Sequence, residues 1–486
     1  MTCGTICLAL LVALVAAFDA AGAAALNGTT RPNIVLILSD DEDVALHEFM
    51  PKTRALLHEQ GTTFDNAFIS YSFCGPSRAS ILRGQYAHNT QILGNEPPWG
   101  GYEKFRALGL EESTLGTWLQ DAGYRTALIG KYLNRYVPAK DGVAPGWDDW
   151  YVAGNAHPSY DYVINENGRI VSYGDRPEDY LTDVMAGQAR AVIEAAAAAG
   201  EPFFLYVAPY TPHSPALPAP RHEELFAEVA LPRSPTFDEL DVSDKPALVS
   251  ELPPLDAAEI DALERFYRKR LQSLQSIDDL VETIVRTLEA TGQLDRTYVV
   301  YTSDNGFHLG EHRMPAGKNM PYEEDIRVPL VVRGPGVPAG ERLEPAVLNI
   351  DLAPTFADIA GATWPEFVDG RSFLPLFEDP EHPWRQSFLI ERRQLEAQVI
   401  ARSGLSGQQL LNSSVFQALR LPDWTYVEHG TGERELYDLR GDPHQLTNLA
   451  EDADPVLLKA LSTLLQQLAH CAGEDCRALE ELPVGQ

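Results

Sequence analysis

The segment Asn33-Ile34-Val35-Leu36-Ile37-Leu38 runs directly into Ser39-Asp40-Asp41, and it decides how this sequence is expected to fold. An unbroken apolar run of this length is typical of a strand that is buried on both faces, as in a parallel sheet. Three further runs of the same kind follow, and each also ends in polar residues. They are Arg125-Thr126-Ala127-Leu128-Ile129 before Gly130-Lys131, Phe203-Phe204-Leu205-Tyr206-Val207 before Thr211-Pro212-His213, and Thr297-Tyr298-Val299-Val300-Tyr301 before Ser303-Asp304-Asn305.

Helical patterns lie between these runs. The clearest pattern begins at Asp256, a suitable N-cap, and ends at Gly292, with apolar residues at helical spacing between them. A second helix is expected over residues 112–122, before Gly123. Strands that alternate with helices predict a doubly wound α/β sheet. Functional sites in such sheets form at the carboxyl ends of the strands, where all four polar clusters fall.

The chain of 486 residues divides into three expected parts: a signal peptide over 1–25, a main domain over 31–380 and a small α+β subdomain over 381–486. The apolar run 8–18, followed by small residues, favours a cleavable export signal. The alternative, a membrane anchor, needs roughly 20 apolar residues. Residues 216–254, rich in proline and charge, are interpreted as a long surface excursion.

Near the C-terminus the alternation of strands and helices fades. Strand-like pieces at 388–390, 425–427 and 435–437 precede a helical pattern over 455–469. Short strands followed by a helix, without crossovers, are consistent with the small α+β subdomain.

Acidic residues outnumber basic ones, 70 against 38, and the formal net charge is −32. Nucleic acids and anionic membrane surfaces repel such a chain unless a strong local basic patch binds them. The sequence contains no such patch. We therefore expect no nucleic-acid partner. No segment after the apolar run 8–18 is long and apolar enough to cross a membrane, so we expect no stable membrane insertion either.

The five cysteines are informative by their positions. Cys3 and Cys7 fall in the expected signal peptide. Cys471 and Cys476 lie close together and favour a small disulfide loop in an oxidising compartment; a metal site there would have only His470 as a further ligand. Cys74 is then a lone thiol in an exported protein, and such a thiol calls for an explanation.

Adjacent oxygen ligands follow two of the predicted strands. Asp40 and Asp41 come after the first, and Asp304 and Asn305 come after the last. An acidic pair on its own more often caps a helix or faces solvent. Two such pairs at one sheet edge favour a metal site, and oxygen-only ligands suit calcium or magnesium better than zinc.

Cys74 is expected at the N-terminus of a helix, because Pro76 fits a first helical turn. This position stabilises negative charge and suits a nucleophile. Two other interpretations stay open at this point. The residue could be an ordinary buried cysteine, or a thiolate nucleophile, although no histidine lies beside it in the sequence.

The motif Cys74-Gly75-Pro76-Ser77-Arg78, followed by Ala79-Ser80-Ile81-Leu82-Arg83-Gly84, resembles the signature of type I, formylglycine-dependent sulfatases. The resemblance covers essentially the whole mature chain and implies an alkaline-phosphatase-like fold with helices on both faces of the sheet. It makes residues 31–380 the sulfatase catalytic domain. The other family-like segments follow in order: Asp40-Asp41, Gly130-Lys131, Thr211-Pro212-His213, Ser303-Asp304-Asn305-Gly306, Lys318 and Glu435-Leu436-Tyr437-Asp438-Leu439.

Within the family the chain is most similar to the N-acetylglucosamine-6-sulfatases and heparan 6-O-sulfatases. The stretches that carry this similarity are Gly130-Lys131-Tyr132-Leu133-Asn134, Arg268-Lys269-Arg270-Leu271-Gln272-Ser273-Leu274, Gly317-Lys318-Asn319-Met320-Pro321-Tyr322 and Asn349-Ile350-Asp351-Leu352-Ala353-Pro354-Thr355.

The resemblance implies that a formylglycine-generating enzyme oxidises Cys74 to formylglycine. It implies one calcium ion bound by Asp40, Asp41, the modified residue 74, Asp304 and Asn305. A hydroxyl of the hydrated aldehyde attacks sulfur, and the metal neutralises the sulfate oxygens. The implied catalytic residues are Cys74, Arg78, Lys131, His213 and Lys318, with His213 or Lys318 protonating the departing oxygen.

One position departs from the family pattern. Many sulfatases have a histidine two residues after the lysine of the Gly-Lys motif, where this chain has Leu133. That histidine is a candidate base for the release of sulfate, so Asn134 and His308 become alternatives. The expected substrate-binding residues are Lys131, Asn134, His213, His308 and Lys318.

An exo-acting enzyme on 6-O-sulfated N-acetylglucosamine, in glycosaminoglycan-type saccharides, is the favoured prediction, because the chain lacks the basic tract expected of an endosulfatase. A broad-specificity arylsulfatase is the first alternative. A phosphate or phosphonate ester hydrolase and an inactive binding homologue are further ones. After export, the protein is expected to be secreted, periplasmic or lysosomal.

Overall fold

The computed structural model describes residues 31–393 and 415–483. The expected signal peptide, with Cys3 and Cys7, lies outside these residues. A ten-stranded mixed sheet forms the centre, in the order β11-β2-β10-β9-β1-β8-β4-β5-β6-β7. Its strands are β1 Asn33–Ser39, β2 Thr62–Phe64, β4 Arg125–Lys131, β5 Asp149–Ala153, β6 Val163–Glu166, β7 Arg169–Ser172, β8 Phe203–Ala208, β9 Thr297–Ser303, β10 Leu330–Arg333 and β11 Glu341–Leu343.

The four strands predicted from apolar runs are confirmed as adjacent parallel strands in the middle of this sheet. β1 pairs with β9 on one side and with β8 on the other, and β8 pairs with β4. All residues of β1 and β8 are buried. The strands that the sequence did not indicate are short or lie toward the sheet edges, where antiparallel pairs join β10 to β9 and β6 to β5.

Helices cover both faces of the sheet, which confirms the prediction of a doubly wound α/β sheet. The helices of seven or more residues in the described ranges are α1 Cys74–Arg83, α2 Gly101–Ala107, α3 Leu115–Asp121, α4 Leu181–Ala199, α5 Ala257–Ala290, α6 Leu352–Ala360, α7 Pro455–Leu468 and α8 Glu474–Glu480. Ile34 and Leu36 pack on one face of the sheet against α1, α3 and α6, whereas Val35 and Ile37 pack on the other face against α4 and α5.

The predicted ends of three helices can be compared with the structure. Helix α5 begins after Asp256, whose carboxylate accepts from the amides of Ala258 and Glu259. The expected helix over 112–122 begins later, at Leu115, because Thr114 forms its N-terminal capping box. Helix α7 follows Asp454 and agrees with the predicted pattern.

The C-terminal part forms a small antiparallel sheet, β13-β14-β15-β16, covered by α7 and α8, as predicted. A disulfide joins Cys471 to Cys476, at the start of α8. The strands that complete the chain order are β3 Ala67–Phe68, β12 Val347–Leu348, β13 Phe388–Arg392, β14 Phe416–Arg420, β15 Trp424–His429 and β16 Arg434–Asp438.

The 216–254 segment has only short helices, Pro220–His222 and Ala247–Ser250, as expected of a long excursion. Part of it is nevertheless buried, including Thr236, Val242 and Val249. The Nζ atom of Lys245 donates to the carbonyl of Leu446 at 2.7 Å. This bond attaches the segment to the C-terminal subdomain. No helix in the described ranges is long and apolar enough to cross a membrane.

We predict that replacing Asp256 with alanine frays the first turn of α5, because a lost N-cap costs about 1 kcal/mol. Hydrogen exchange should then be about fivefold faster at the amides of Ala258 and Glu259. Asp261→Ala, an exposed change in the next turn, serves as the control. Unchanged exchange at both amides in Asp256→Ala would contradict the capping role.

Candidate active site

The carboxyl ends of the central strands meet at one point of the sheet edge. The amide of Asp40, after β1, donates to the carbonyl of Thr211, in the loop after β8, at 3.2 Å. The amide of Asp304, after β9, donates to the carbonyl of Ser39 at 3.1 Å. Lys131 ends β4, the fourth strand of the group. The structure therefore brings together the polar clusters that the sequence placed at strand ends.

Cys74 is the first residue of α1, as predicted, and it is a buried free cysteine in the described part of the chain. Its Sγ atom lies 3.6 Å from Oδ1 of Asp40, 4.0 Å from Oδ1 of Asp41 and 2.7 Å from Nζ of Lys318. Burial raises the pKa of the thiol to about 12, although Lys131 and Lys318 act in the opposite direction. An unmodified thiol here stays protonated at neutral pH and is a poor nucleophile.

Lys131 neutralises Asp40, because its Nζ atom lies 2.5 Å from Oδ2 of this fully buried carboxylate. Burial alone would raise the pKa of Asp40. The positive charges of Lys131, His213 and Arg78 outweigh burial and hold this pKa well below its usual range. Asp40 is therefore an anion throughout the neutral and mildly acidic range.

Asp41 has a left-handed backbone, with φ of 68°, which is uncommon for a residue other than glycine. Its amide donates to Oδ1 of Asp304 at 3.1 Å, and its Oδ1 atom accepts from Nδ2 of Asn305 at 2.7 Å. Lys318 also donates to Oδ1 of Asp41. These contacts hold the strained residue in place.

Arg78 joins two of the strand ends from its position in α1. Its Nε atom donates to Oδ2 of Asp304 at 2.8 Å, and its NH1 group donates to the carbonyl of Lys131 at 3.1 Å. Burial and the nearby Asp40 raise the pKa of Asp304, and the charge of Arg78 opposes this rise. Arg78 thus stabilises the ionised form of a carboxylate that is shielded from water.

Several oxygen atoms of this site suit a hard cation. In the part of the chain that the structure describes, Oδ1 of Asn305 is buried and has no hydrogen-bond partner. Asp40, Asp41, Cys74 and His213 each offer a ligand atom, and these four atoms lie within 4.8 Å of one another. An orphan amide oxygen beside buried carboxylates fits the ligand preference of calcium or magnesium.

His213 lies at the rim of the site and is partly exposed. Its Nδ1 atom donates to the carbonyl of Ser214 at 2.7 Å, so its Nε2 atom faces the site, 3.6 Å from Oδ2 of Asp41. His308 is deeper, and its Nδ1 atom bonds to Asp325 at 2.7 Å. A β-bridge joins the backbone of His308 to Gly317, which places this histidine as a brace of the loop that carries Lys318.

Two side chains near the site, Asn95 and His157, were not predicted from any sequence motif. Asn95 accepts from the amide of Gly75 at 2.7 Å and so fixes the first turn of α1. His157, in the loop between β5 and β6, packs against His213 with ring centroids 4.3 Å apart. Asn134, which was predicted, has its Oδ1 atom close to Gly75 as well.

Arg270 lies in the family-like stretch Arg268–Leu274 but was not predicted as a site residue, and it is fully buried in α5. Its NH2 group donates to the backbone carbonyl of Asp41 and lies 3.1 Å from Oδ2 of Asp43. Its guanidinium group also covers the ring of Phe307, 4.5 Å from the centroid. One sequence signal could have found it: an arginine on the apolar face of the helix, beside Tyr267 and Leu274.

Comparisons with known proteins agree with this geometry. A family model described as Sulfatase matches residues 32–362, and one described as N-sulphoglucosamine sulphohydrolase, C-terminal, matches residues 310–472. An N-acetylglucosamine-6-sulfatase from Capra hircus is 36% identical, over 93% of this chain and 86% of the relative. An arylsulfatase from Volvox carteri is 35% identical, over 96% of this chain and 79% of the relative.

A solved structure shares the fold. It is described as BT4656 in complex with its substrate D-glucosamine-2-N,6-O-disulfate. The TM-score is 0.75 at 24% sequence identity, and the match covers 92% of this chain and 98% of the other.

Glu324 lies near this site, because its backbone carbonyl accepts a hydrogen bond from the amide of Phe307 at 2.8 Å. From the titration of its side chain we predict that the stability of the protein depends on pH. Burial raises the pKa of its side chain to about 8, and Glu311 adds to this effect. Between pH 5 and 8 the folded protein therefore retains a proton that the unfolded chain has lost, so the free energy of unfolding falls as the pH rises.

Glu324→Gln is expected to make this fall shallower. The thermal unfolding midpoint, measured from pH 5 to pH 9, tests the difference between the two proteins. Glu341→Gln, at an exposed position, is the control. Parallel curves for Glu324→Gln and the unaltered protein would contradict the assignment.

Proposed function

Because this chain belongs to the sulfatase family, and is therefore a sulfuric ester hydrolase, we propose that it uses a formylglycine formed from Cys74 together with a calcium ion. One observation carries the proposal. A buried cysteine at a helix N-terminus lies within 4.0 Å of two carboxylates and 2.7 Å from the amine of Lys318. A sulfate group at this point has cations on several sides.

Asp40, Asp41, Asp304 and Asn305 would hold the calcium ion together with residue 74. The ion supplies positive charge for the sulfate oxygens and lowers the pKa of a bound hydroxyl. The hydrated aldehyde supplies two geminal hydroxyls, one to attack sulfur and one whose deprotonation releases sulfate. Oxidation of Cys74 requires a formylglycine-generating enzyme as a partner during maturation.

The basic side chains around residue 74 have different proposed roles in the reaction. Lys131 and Lys318 flank residue 74 and neutralise the sulfate oxygens. Arg78 acts through Asp304 and keeps that ligand ionised. Nζ of Lys318 is held by Asp41 and Sγ of residue 74, whereas Nε2 of His213 faces the site from its partly exposed rim. We therefore assign protonation of the departing oxygen to His213.

We propose the 6-O-sulfate of N-acetylglucosamine, in glycosaminoglycan-type saccharides, as the substrate. The relatives of similar identity include both an N-acetylglucosamine-6-sulfatase and an arylsulfatase, so identity alone does not separate sugar from aryl sulfates. The surroundings of Lys131 favour a sugar, because the polar side chains of Asn95, Asn134 and His157 line the same cavity and can hydrogen-bond to sugar hydroxyl groups. An aryl sulfate is the second candidate.

We further propose that the protein is exported. The disulfide between Cys471 and Cys476 suits an oxidising compartment. An extracellular sulfatase of Drosophila melanogaster is among the relatives, 37% identical over 80% of this chain and 36% of the relative. The secreted, periplasmic and lysosomal destinations all meet this requirement.

Protein co-expressed with a formylglycine-generating enzyme is expected to release sulfate from N-acetylglucosamine 6-sulfate. Cys74→Ala should lose this activity by at least 1000-fold, because the nucleophile is absent. Release of inorganic sulfate, measured by ion chromatography, tests both. Turnover of 4-nitrophenyl sulfate alone would keep the reaction and reject the sugar, whereas full activity of Cys74→Ala would reject the nucleophile.

Chelation of divalent cations is expected to abolish activity and to lower the thermal unfolding midpoint, because buried carboxylates then lose a counter-charge. Added calcium should restore both. In Asp41→Asn, the calcium concentration needed for half of this restoration should be at least tenfold higher. Asp121→Asn, at an exposed position, is the control. Full activity in excess chelator would refute the metal, and better restoration by magnesium would refute calcium.

A further inference from the structure

A cavity of about 660 Å³ opens beside Lys131. Its lining includes Asn95, Asn134, His157 and Tyr210. Two contacts place it next to the reacting group: Asn95 holds the amide of Gly75, which directly follows residue 74, and Lys131 reaches Asp40. A sulfate ester whose sulfur lies at residue 74 therefore has space for its alcohol part in this cavity.

His157 presents a hydrogen-bond acceptor whose partner the structure does not supply. Its Nδ1 atom lies 2.7 Å from the amide oxygen of Asn155, so Nδ1 carries the hydrogen and Nε2 carries the lone pair. Across the described ranges, this Nε2 atom is buried and has no hydrogen-bond partner. Burial, with the charges of Lys131 and His213, lowers the pKa of His157 to about 3, so the ring stays neutral.

Asn134 presents a second acceptor in the same cavity. Its Oδ1 atom is also buried and without a partner among the residues that the structure describes. Buried acceptors that lack a donor cost free energy, and native proteins rarely keep them without a reason. Hydroxyl or amide N–H groups of a ligand supply donors of the kind these atoms lack, whereas an aryl group offers none.

We propose that this cavity binds the sugar ring of the substrate and that His157 accepts a hydrogen bond from one of its hydroxyl or amide groups. The inference rests on the proposed function and adds to it a residue that distinguishes sugar sulfates from aryl sulfates. Sites that hydrogen-bond a substrate hydroxyl discriminate strongly against analogues without it, because their own polar groups are then left unpaired. Tyr210, whose ring contacts His157 edge-on, holds the histidine in this position.

The test measures binding separately from turnover. Titration calorimetry with N-acetylglucosamine 6-sulfate is done on Cys74→Ala protein, alone and combined with His157→Phe or His157→Gln. We expect His157→Phe, which keeps the ring but removes the acceptor, to weaken binding about tenfold. His157→Gln, which keeps an acceptor, should recover most of the affinity. His470→Phe, at an exposed site in the C-terminal part, is the control and should bind as before.

Equal affinity of the His157→Phe protein and its parent would overturn the inference. An equal loss for 4-nitrophenyl sulfate would overturn it as well, because the histidine would then act on the sulfate rather than the sugar. Failure of the proposed reaction can be distinguished from failure of this inference. Sugar binding that depends on His157, without any sulfate release by the active enzyme, would reject the reaction and keep the sugar site. Turnover of the aryl sulfate without binding of the sugar would keep the proposed reaction and reject the sugar site.

Discussion

Three carboxylates share one water-excluded volume at the sheet edge, and the rest of the site depends on how their charge is balanced. Asp40, Asp41 and Asp304 are almost completely buried, and an uncompensated buried charge costs several kcal/mol. The balancing cations come from three separate elements: Arg78 from α1, Lys131 from the end of β4 and Lys318 from the loop after β9. These three cations reach the carboxylates only when β4, α1 and the loop after β9 have all assembled.

The sequence predicted the middle of the fold well and its edges poorly, for a physical reason. Strands buried on both faces are continuous apolar runs, so β1 and β8 were recognisable without other information. The edge strands β7 and β11 are mainly exposed, and their residues carry no such pattern. In the C-terminal subdomain β14 was missed, because its alternation over Phe416–Arg420 is short.

Some residues of the site can be recognised from local sequence motifs, whereas others reach the site only because of the fold. Cys74, Asp40 and Asp304 occur in short motifs whose chemistry is recognisable, and the structure brings them together. His157 carries no motif, and it reaches the site because the loop after β5 brings its ring against that of His213. The roles that the motif residues play in catalysis, and the identity of the metal, stay predictions.

Arg270 links the 34-residue helix α5 to the loop of Asp41 and to Phe307, and this link limits how the chain can change in length. One inserted residue rotates the following part of a helix by about 100° and shifts it by about 1.5 Å. An insertion within α5 after Arg270 would thus turn the apolar face away from the sheet, relative to the arginine that is bound to the Asp41 loop. An insertion into the exposed parts of the 216–254 segment changes neither the direction of this apolar face nor the contacts of Arg270. Natural variation in length should therefore accumulate before the helix and be rare within it.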